Sequence, residues 1–418
     1  MANTLNLGNG NWATKEDSLL AYNSENGNFK PLPFDFTRAS SATVVNKAGL
    51  IETVGSGKAR IDFLGNTKGA LLLEPQRSNL VTYSEAFDNA YWVKGGSSVA
   101  SGFTSPNGSN NAFEFIEGTN NGSHNIYSFG SKTINIDYTV SIYVKSNGRN
   151  FFYIEFSSYL GVFNGGRAFF DLVNGVTAYK DANITSKIEE LSNGYYRITA
   201  TQQSLASGNG VISIGLSNTD GSFSYQGDGT SGVYIYGAQL EQGSYATSYI
   251  PTQGSAVTRV GDSCNNGGNE QVINSTEGVL MAEISALSND LSWRGIQLRK
   301  IGDGDDQVNI GYNTTTQQVI SQVRVAGSLQ YNQSFTLQDI TTSNKIAILY
   351  APNNFKVYIN GVLAGTHITT GVTFSANFLN TLEFKFLFGN SNFYGNVKDV
   401  RVYNTALTDA ELQALTKI

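Results

Sequence analysis

Residues 139–145 read TVSIYVK, and this stretch decides the fold class. Val140, Ile142 and Val144 share one side of an extended segment, so they are predicted to face a core. Strict alternation of this kind is typical of an antiparallel strand with one buried face. The same pattern recurs along most of the chain and predicts an all-β fold. The alternating set is predicted to face outward: Ser141, Tyr143 and Lys145.

Four Asn-Gly pairs are predicted to form type I′ turns, in which both central residues need a positive φ. The clearest is the pair at residues 360–361, because alternating residues precede it and Val362 and Leu363 follow it. These pairs indicate β-hairpins. The other three lie at residues 147–148, 174–175 and 193–194.

One helix is predicted, at the C-terminal end of the sequence. Thr408 and Glu411 have the T-x-x-E spacing of a capping box. Leu407, Leu412 and Leu415 are expected to pack this short helix against a sheet or the end of a sandwich.

The length of 418 residues predicts two or three domains of roughly 100–200 residues each. Alternation is weak in residues 1–33 and is lost again in residues 251–274, around Cys264. We therefore predict an extended N-terminal attachment region at 1–78 and two antiparallel jelly-roll-type β-sandwiches, at 79–256 and at 275–418.

The charge balance of 27 basic and 33 acidic residues contains no basic run, so nucleic acid is not an expected partner. No apolar stretch is long enough to span a membrane, and no export signal opens the chain, which predicts assembly in the cytoplasm without membrane insertion. Cys264, His124 and His367 cannot supply a disulfide framework or an evident zinc site.

The same shortage of histidine argues against a serine or cysteine nucleophile, so we predict that the protein is not an enzyme. A glycan depolymerase stays open as an alternative because two carboxylates suffice for it. Carboxylates occur in four strand-like segments, although such side chains are most often solvated: Glu155, Asp171, Glu283 and Glu383.

Aromatic residues are the one abundant residue type suited to ligand binding, since a flat ring can stack on the apolar face of a sugar. Tyr91, Trp92, Trp293 and Tyr394 adjoin polar or turn-like sequence and are the candidate carbohydrate-binding residues. Packing in a core or an interface is the more common role of such rings.

The loop at residues 302–306 carries three carboxylates, Asp303, Asp305 and Asp306, among glycines. Oxygen ligands on a flexible loop suit Ca²⁺, but the glutamate that closes an EF-hand loop is absent. A polar hairpin tip is the alternative. No cofactor is predicted apart from this candidate structural Ca²⁺.

Three segments carry a family resemblance. They are FTRASSATVVNKAGLIE (36–52), LLLEPQRSNLVTYSE (71–85) with AYWVK (90–94), and YIYGAQLEQGSYATSYIPTQGSAVTR (234–259). Together they resemble a module of bacteriophage head-fibre, head-spike and tail-associated proteins. That resemblance implies a virion structural protein displayed on the particle surface.

The region between the second and third segments is similar to carbohydrate-binding jelly rolls. That likeness implies a structural Ca²⁺ near Glu85 and Glu241. EGVLMAEIS (277–285), FKVYINGVLAG (355–365) and NVKDVRVYNTALTDAELQAL (396–415) resemble the laminin-G or concanavalin-A-like fold. Such domains include lectins, adhesion modules and enzymes, so the fold leaves the function open.

We therefore predict a phage head-fibre, decoration or tail-fibre protein that adheres to host or mucosal glycans. Its expected partners are copies of itself, in a trimer or another homo-oligomer, and other virion proteins through residues 1–78. A purely structural connector or decoration protein is the alternative. A homo-oligomer is expected because weak sugar contacts become useful when several copies engage one surface together. The sequence favours the adhesive and the structural hypothesis almost equally.

Overall fold

The computed structural model describes residues 3–15, 18–29, 33–219, 221–302, 306–386 and 391–418. The strands up to residue 79 are β1 (Leu5–Gly8), β2 (Ala13–Lys15), β3 (Ser18–Leu20), β4 (Pro33–Thr37), β5 (Ala42–Val45), β6 (Ile51–Val54), β7 (Ile61–Asp62), β8 (Ala70–Leu73) and β9 (Arg77–Asn79).

The middle of the chain forms β10 (Val93–Gly95), β11 (Ser97–Phe103), β12 (Ala112–Glu117), β13 (Asn121–Ser123), β14 (Asn125–Lys132), β15 (Asp137–Asn147), β16 (Phe151–Ser157), β17 (Gly166–Asp171), β18 (Val176–Lys180), β19 (Thr185–Glu190), β20 (Tyr196–Gln203), β21 (Gly208–Ser217), β22 (Ser224–Gln226), β23 (Gly232–Gln242), β24 (Val257–Arg259) and β25 (Ser263–Asn265).

The last part forms β26 (Gly278–Ala286), β27 (Arg294–Arg299), β28 (Gln307–Tyr312), β29 (Gln318–Val325), β30 (Ser328–Thr336), β31 (Asn344–Ala351), β32 (Asn354–Ile359), β33 (Val362–Ile368), β34 (Thr381–Glu383), β35 (Lys385–Phe386), β36 (Ser391–Asn392), β37 (Gly395–Tyr403) and the helix α1 (Asp409–Thr416). The prediction of an all-β fold is confirmed. No helix among these described residues is long and apolar enough to cross a membrane.

The chain divides into two compact units. Unit 1 comprises Met1–Ser41, Val54–Pro75 and Val260–Ile418, and unit 2 comprises Ala42–Thr53 and Gln76–Arg259. The change from unit 2 to unit 1 between Arg259 and Val260 lies within the predicted break at residues 251–274, whereas the predicted region 1–78 is divided between the two units. Leu5 and Leu7 are fully buried in the core of unit 1, so the N-terminal segment is built into that unit. Its predicted role in attachment stays a prediction.

Unit 1 is a sandwich of two antiparallel sheets. The larger has the strand order β33-β32-β31-β26-β37-β8-β7, with β1 also paired to β37, and the smaller has the order β30-β29-β28-β27-β34. Apolar side chains from both sheets form one core, as face-to-face packing of sheets requires. Typical members are Leu280, Ile348 and Val400 from the larger sheet and Ile296, Ile310 and Val319 from the smaller one.

Unit 2 is a second sandwich, and both of its main sheets have six strands. Their orders are β10-β14-β21-β16-β17-β18 and β11-β12-β23-β15-β20-β19. Val140, Ile142 and Val144 point into the core between the sheets, as predicted. Ser141 and Tyr143 are buried as well, contrary to prediction. A further apolar layer containing Ile51, Leu191 and Tyr249 covers that side of β15.

The predicted turns are confirmed in part. Asn360 and Gly361 both have positive φ and connect the hairpin β32–β33. At the other three pairs only the glycine has a positive φ, so the type I′ prediction is wrong there. Residues 147–148 connect strands of different sheets, whereas 174–175 and 193–194 do lie in hairpins.

The C-terminal helix begins as predicted. Thr408 accepts a hydrogen bond from the Glu411 backbone N–H, and the Glu411 carboxylate accepts one from the Thr408 N–H. Leu412 and Leu415 pack with Met281 against the outer side of the larger sheet of unit 1. The helix therefore covers the back of a sheet.

Lys132, at the end of β14, provides a pH-dependent test of the packing in unit 2. Burial lowers the pKa of Lys132 to about 8, and its Nζ donates to the Gly130 carbonyl at 2.8 Å. The folded chain therefore loses this proton at a lower pH than the unfolded chain does. The Lys132 contribution is expected to raise the free energy of unfolding by about 2 kcal/mol between about pH 8 and pH 10.

The measurement is urea unfolding of the wild type and of Lys132→Met across that pH range. Other groups titrate in both proteins, so the difference between the two isolates Lys132. If the free energies of unfolding of the two proteins change with pH in parallel, Lys132 is not buried in this way.

Candidate functional site

The outer side of the first six-stranded sheet of unit 2 carries a row of unlike side chains. Strand pairing aligns Val93, Tyr127, Ser213, Glu155 and Arg167 across five neighbouring strands. They alternate with core residues such as Ile126 and Ile154 on the same strands. Together with the neighbouring rings described next, we call this surface the aromatic face.

A second row of the aromatic face is mainly aromatic. It aligns Asn125, Gly215, Tyr153, Phe169 and Tyr179. A Cβ atom on Gly215 would stand only 2.3 Å from the Tyr153 ring, so glycine is needed for that ring to lie across β21. Tyr153 and Phe169 are themselves buried, so Tyr179 is the exposed ring of this row.

Two rings of the aromatic face are open to solvent. Phe129 is 45% exposed and Tyr179 is 49% exposed. Phe129 lies 5.6 Å from the half-buried ring of Tyr127, measured between centroids, and the two rings are nearly perpendicular. The open faces of such rings can stack on an apolar ligand surface.

An ion pair lies in the middle of the aromatic face. Arg167 Nη2 is 2.6 Å from Glu155 Oε1, and the guanidinium group lies 3.8 Å above the Phe223 ring. Burial raises the pKa of Glu155, and the charge of Arg167 opposes this shift. The pair fixes polar donors and acceptors beside the rings, an arrangement suited to a ligand that is both hydroxylated and partly apolar.

The smaller sheet of unit 1 carries a different polar row on its outer side. Pairing aligns Glu383, Gln297, Asn309, Gln322 and Asn332 across its five strands. Gln297 and Asn309 are fully buried. We call this set the amide row.

Several atoms of the amide row lack a hydrogen-bond partner within the described part of the chain. They include Gln297 Oε1 and both polar side-chain atoms of Asn309. Leaving such groups unsatisfied costs about 1–3 kcal/mol each. The row is suited to polar ligand groups, but its burial makes it less accessible than the aromatic face.

Trp293 directly precedes β27 of this same sheet. Its half-buried ring stacks on Phe386 with 4.9 Å between centroids and 19° between planes. Arg294 donates to the Tyr394 carbonyl at 3.1 Å, which places Tyr394 near the start of the same strand. The structure therefore brings these two predicted residues into one neighbourhood.

The sequence of this part of unit 1 matches a known family model. Residues 281–413 match the model described as the concanavalin A-like lectin/glucanases superfamily. The domain at 281–413 is of the concanavalin A-like type. The amide row and Trp293 therefore belong to a concanavalin A-like domain. No curated protein matches the chain.

Among solved structures, the Ruminococcus gnavus IT-sialidase CBM40 bound to α2,3-sialyllactose is similar at 18% identity and a TM-score of 0.30, over 37% of this chain and 94% of that one. Domain 4 of the Geobacillus stearothermophilus arabinanase AbnA has 14% identity and a TM-score of 0.30, over 41% and 82%. Mouse laminin α1 domains LG4-5 have 9% identity and a TM-score of 0.25, over 70% and 88%.

Outside the concanavalin A-like domain, the predicted stacking role of Trp92 is wrong. Trp92 is only 4% exposed and lies in the core of unit 2, where its Nε1 donates to the Tyr83 carbonyl at 2.9 Å. Tyr91 packs edge-on against Trp92 and is half-buried. Neither indole face is free, so Trp92 cannot stack on a ligand.

The described members of the predicted Ca²⁺ ligand sets, Glu85, Glu241 and Asp306, have hydrogen-bond partners within the protein. Glu241 is fully buried and accepts hydrogen bonds from the Thr247 N–H and from Gln239. Glu85 accepts from tyrosine hydroxyl groups instead, and Asp306 accepts from the Gly327 N–H. Within the described ranges, no group of three or more metal-ligating side chains occurs. Asp303 and Asp305 lie outside the described residues.

The aromatic face itself was missed at the sequence level, although a signal for it exists. In residues 125–129 (NIYSF), Asn125, Tyr127 and Phe129 alternate with Ile126 and Ser128. Two rings on the polar side of a strand indicate an exposed aromatic surface.

Proposed function

We propose that this protein binds glycans through the aromatic face of unit 2, as an adhesive surface protein of a bacteriophage particle. The observation that supports glycan binding is the combination of open rings at Phe129 and Tyr179 with the Glu155–Arg167 pair on one sheet. Rings can cover the apolar face of a sugar, and the charged pair can hydrogen-bond its hydroxyls.

The concanavalin A-like domain supports the same function independently. Its amide row carries acceptors and donors without partners in the described part of the protein, and Trp293 lies beside it. In this proposal the domain is a second, weaker contact, so that each chain can engage a glycan surface at two points.

The phage assignment rests on the resemblance of residues 36–52, 71–85 and 234–259 to virion proteins. In this proposal the protein acts on the particle surface as a homo-oligomer and does not cleave its ligand.

Binding is tested with the full chain on a glycan array, and the affinity for the strongest glycan is then measured. The double variant Tyr127→Ala and Phe129→Ala is expected to bind at least about tenfold more weakly, since central aromatic contacts dominate most interfaces. Tyr159→Ala is the control, because this ring is 79% exposed in the loop between β16 and β17. Its affinity should not change.

If the double variant and the wild type bind the glycan with equal affinity, the aromatic face is not the binding site. If the wild type binds no glycan and cryo-electron microscopy of the encoding phage shows Phe129 and Tyr179 buried between subunits, the protein is a structural component instead.

A further inference from the structure

A separate cleft of about 750 Å³ lies at one edge of unit 2. Its lining combines Glu85 and Asn111 with the apolar side chains of Phe113 and Val257. Exposed polar residues of the lining include Ser101, Asn110, Gln253 and Ser255. The Glu85 cleft, as we call it, shares no residue with the aromatic face.

Glu85 is the one ionisable group of this lining, and its hydrogen bonds come from neutral groups. Oε1 accepts from the Tyr236 hydroxyl at 2.8 Å and from the Tyr249 hydroxyl at 2.9 Å. Oε2 accepts from Asn111 Nδ2 at 3.2 Å. None of the described lysine or arginine side chains forms a salt bridge with Glu85. Its negative charge is therefore held in place without being neutralised.

The surrounding groups keep that charge fixed. Burial, followed by the negative charge of Glu85, raises the pKa of Tyr236 and of Tyr249, so both remain hydroxyl donors. The Tyr236 hydroxyl in turn accepts from Asn107 Nδ2 at 3.1 Å. This chain of donors holds the carboxylate in a single orientation toward the cleft.

Acceptors exceed donors at this corner of the cleft. Asn111 Oδ1 is buried and has no hydrogen-bond partner among the described residues. Glu85 Oε2 has one partner, although a carboxylate oxygen can accept two hydrogen bonds. A ligand that completes this site must bring donors and a positive charge.

We propose that the Glu85 cleft binds an amino sugar with a free, protonated amine. An ammonium group carries one charge and three donors, which is what Glu85 and Asn111 lack. The hydroxyls of such a sugar would meet Ser101, Asn110 and Gln253, and its apolar face would lie against Phe113 or Val257. A neutral or N-acetylated sugar would leave the carboxylate without a counter-charge.

The test uses the full chain at about pH 6, below the pKa of an amine, with glucosamine, N-acetylglucosamine and glucose as probes in saturation-transfer NMR and titration. Glucosamine is expected to bind at millimolar strength and the two neutral sugars at least about tenfold more weakly. Glu85→Gln preserves the shape but removes the charge, so it should abolish the preference for the amine.

Two further variants keep the result interpretable if Glu85→Gln does not fold. Ser255→Lys places an amine at the exposed rim and should block glucosamine, whereas Ala182→Lys adds the same charge in an exposed loop outside the lining and should not. Phe129→Ala tests independence from the proposed glycan site and should leave glucosamine binding unchanged.

Equal binding of glucosamine and N-acetylglucosamine would overturn the proposal, and so would unchanged glucosamine binding in Ser255→Lys. Absence of glucosamine binding at millimolar concentrations would overturn it as well. None of these outcomes bears on the aromatic face, because its own test depends on other residues.

Discussion

Replacing Asp262 with Asn is expected to lower the free energy of unfolding by about 3–5 kcal/mol. Asp262 is fully buried in unit 1 between two buried arginines. Its Oδ1 is 3.1 Å from Arg38 Nη1, and its Oδ2 is 2.5 Å from Arg60 Nη2. Oδ2 also accepts the backbone N–H of Glu74 at 2.8 Å.

The size of the effect follows from the charges that remain. Glu74 belongs to the same cluster and binds Arg60 at 2.6 Å. An asparagine at position 262 would remove the negative charge that the two buried guanidinium groups share. Its amide hydrogens would also face donors, since the Asp262 oxygens accept from Arg38, Arg60 and Glu74.

The effect is measured by urea unfolding followed by far-ultraviolet circular dichroism. Because the chain has two compact units, only the transition that reports on unit 1 should move. Asp88→Asn is the control, since Asp88 is exposed in unit 2, and it should change stability by less than about 0.5 kcal/mol. A loss below about 1 kcal/mol for Asp262→Asn would mean that the buried charges are not coupled as described.

Asp262 also shows why the N-terminal segments could not be assigned to unit 1 from the sequence. The chain passes from unit 2 to unit 1 within the predicted break at residues 251–274, but residues 1–78 were predicted as a separate attachment region. Arg38 lies 224 positions away from Asp262 and Arg60 lies 202 positions away. No local pattern reveals that a polar residue has charged partners so distant in sequence.

Features that depend on neighbours in sequence were predicted well. The hairpin at Asn360 and the capping box at Thr408 are set by residues within a few positions of each other. The turn at residues 147–148 has the same Asn-Gly signal, but there the chain crosses between sheets and only the glycine adopts a positive φ. The position of that turn between two sheets, and not its local sequence, determines its conformation.

The candidate site was harder to predict because alternation shows that a strand has two faces but not which face is covered. Tyr143 was predicted to face outward and is buried under a second layer. Phe129 has a similar sequence environment and is open to solvent. The difference arises in part from Ile51 and Tyr249, which pack in one layer with Tyr143 and are remote from β15 in sequence.

Trp92→Ala is expected to lower the free energy of unfolding by about 3–5 kcal/mol, because it removes a large core side chain and leaves a cavity. The Trp92 ring lies 5.4 Å from Phe87 and 5.1 Å from Tyr91, measured between centroids. Its lost hydrogen bond to the Tyr83 carbonyl adds to the cost. Circular dichroism during urea unfolding measures the change without relying on tryptophan fluorescence.

Trp293→Ala is the matched comparison, since Trp293 is half-buried just before β27 and should cost clearly less stability. The two variants compare the loss of a fully packed tryptophan with the loss of one that is half-buried. Trp92→Ala should reduce stability while the folded protein keeps its glycan affinity, because Trp92 contacts no ligand. If Trp92→Ala instead keeps wild-type stability and loses glycan binding, the indole must be reachable from solvent, and its place in the core of unit 2 would have to be abandoned.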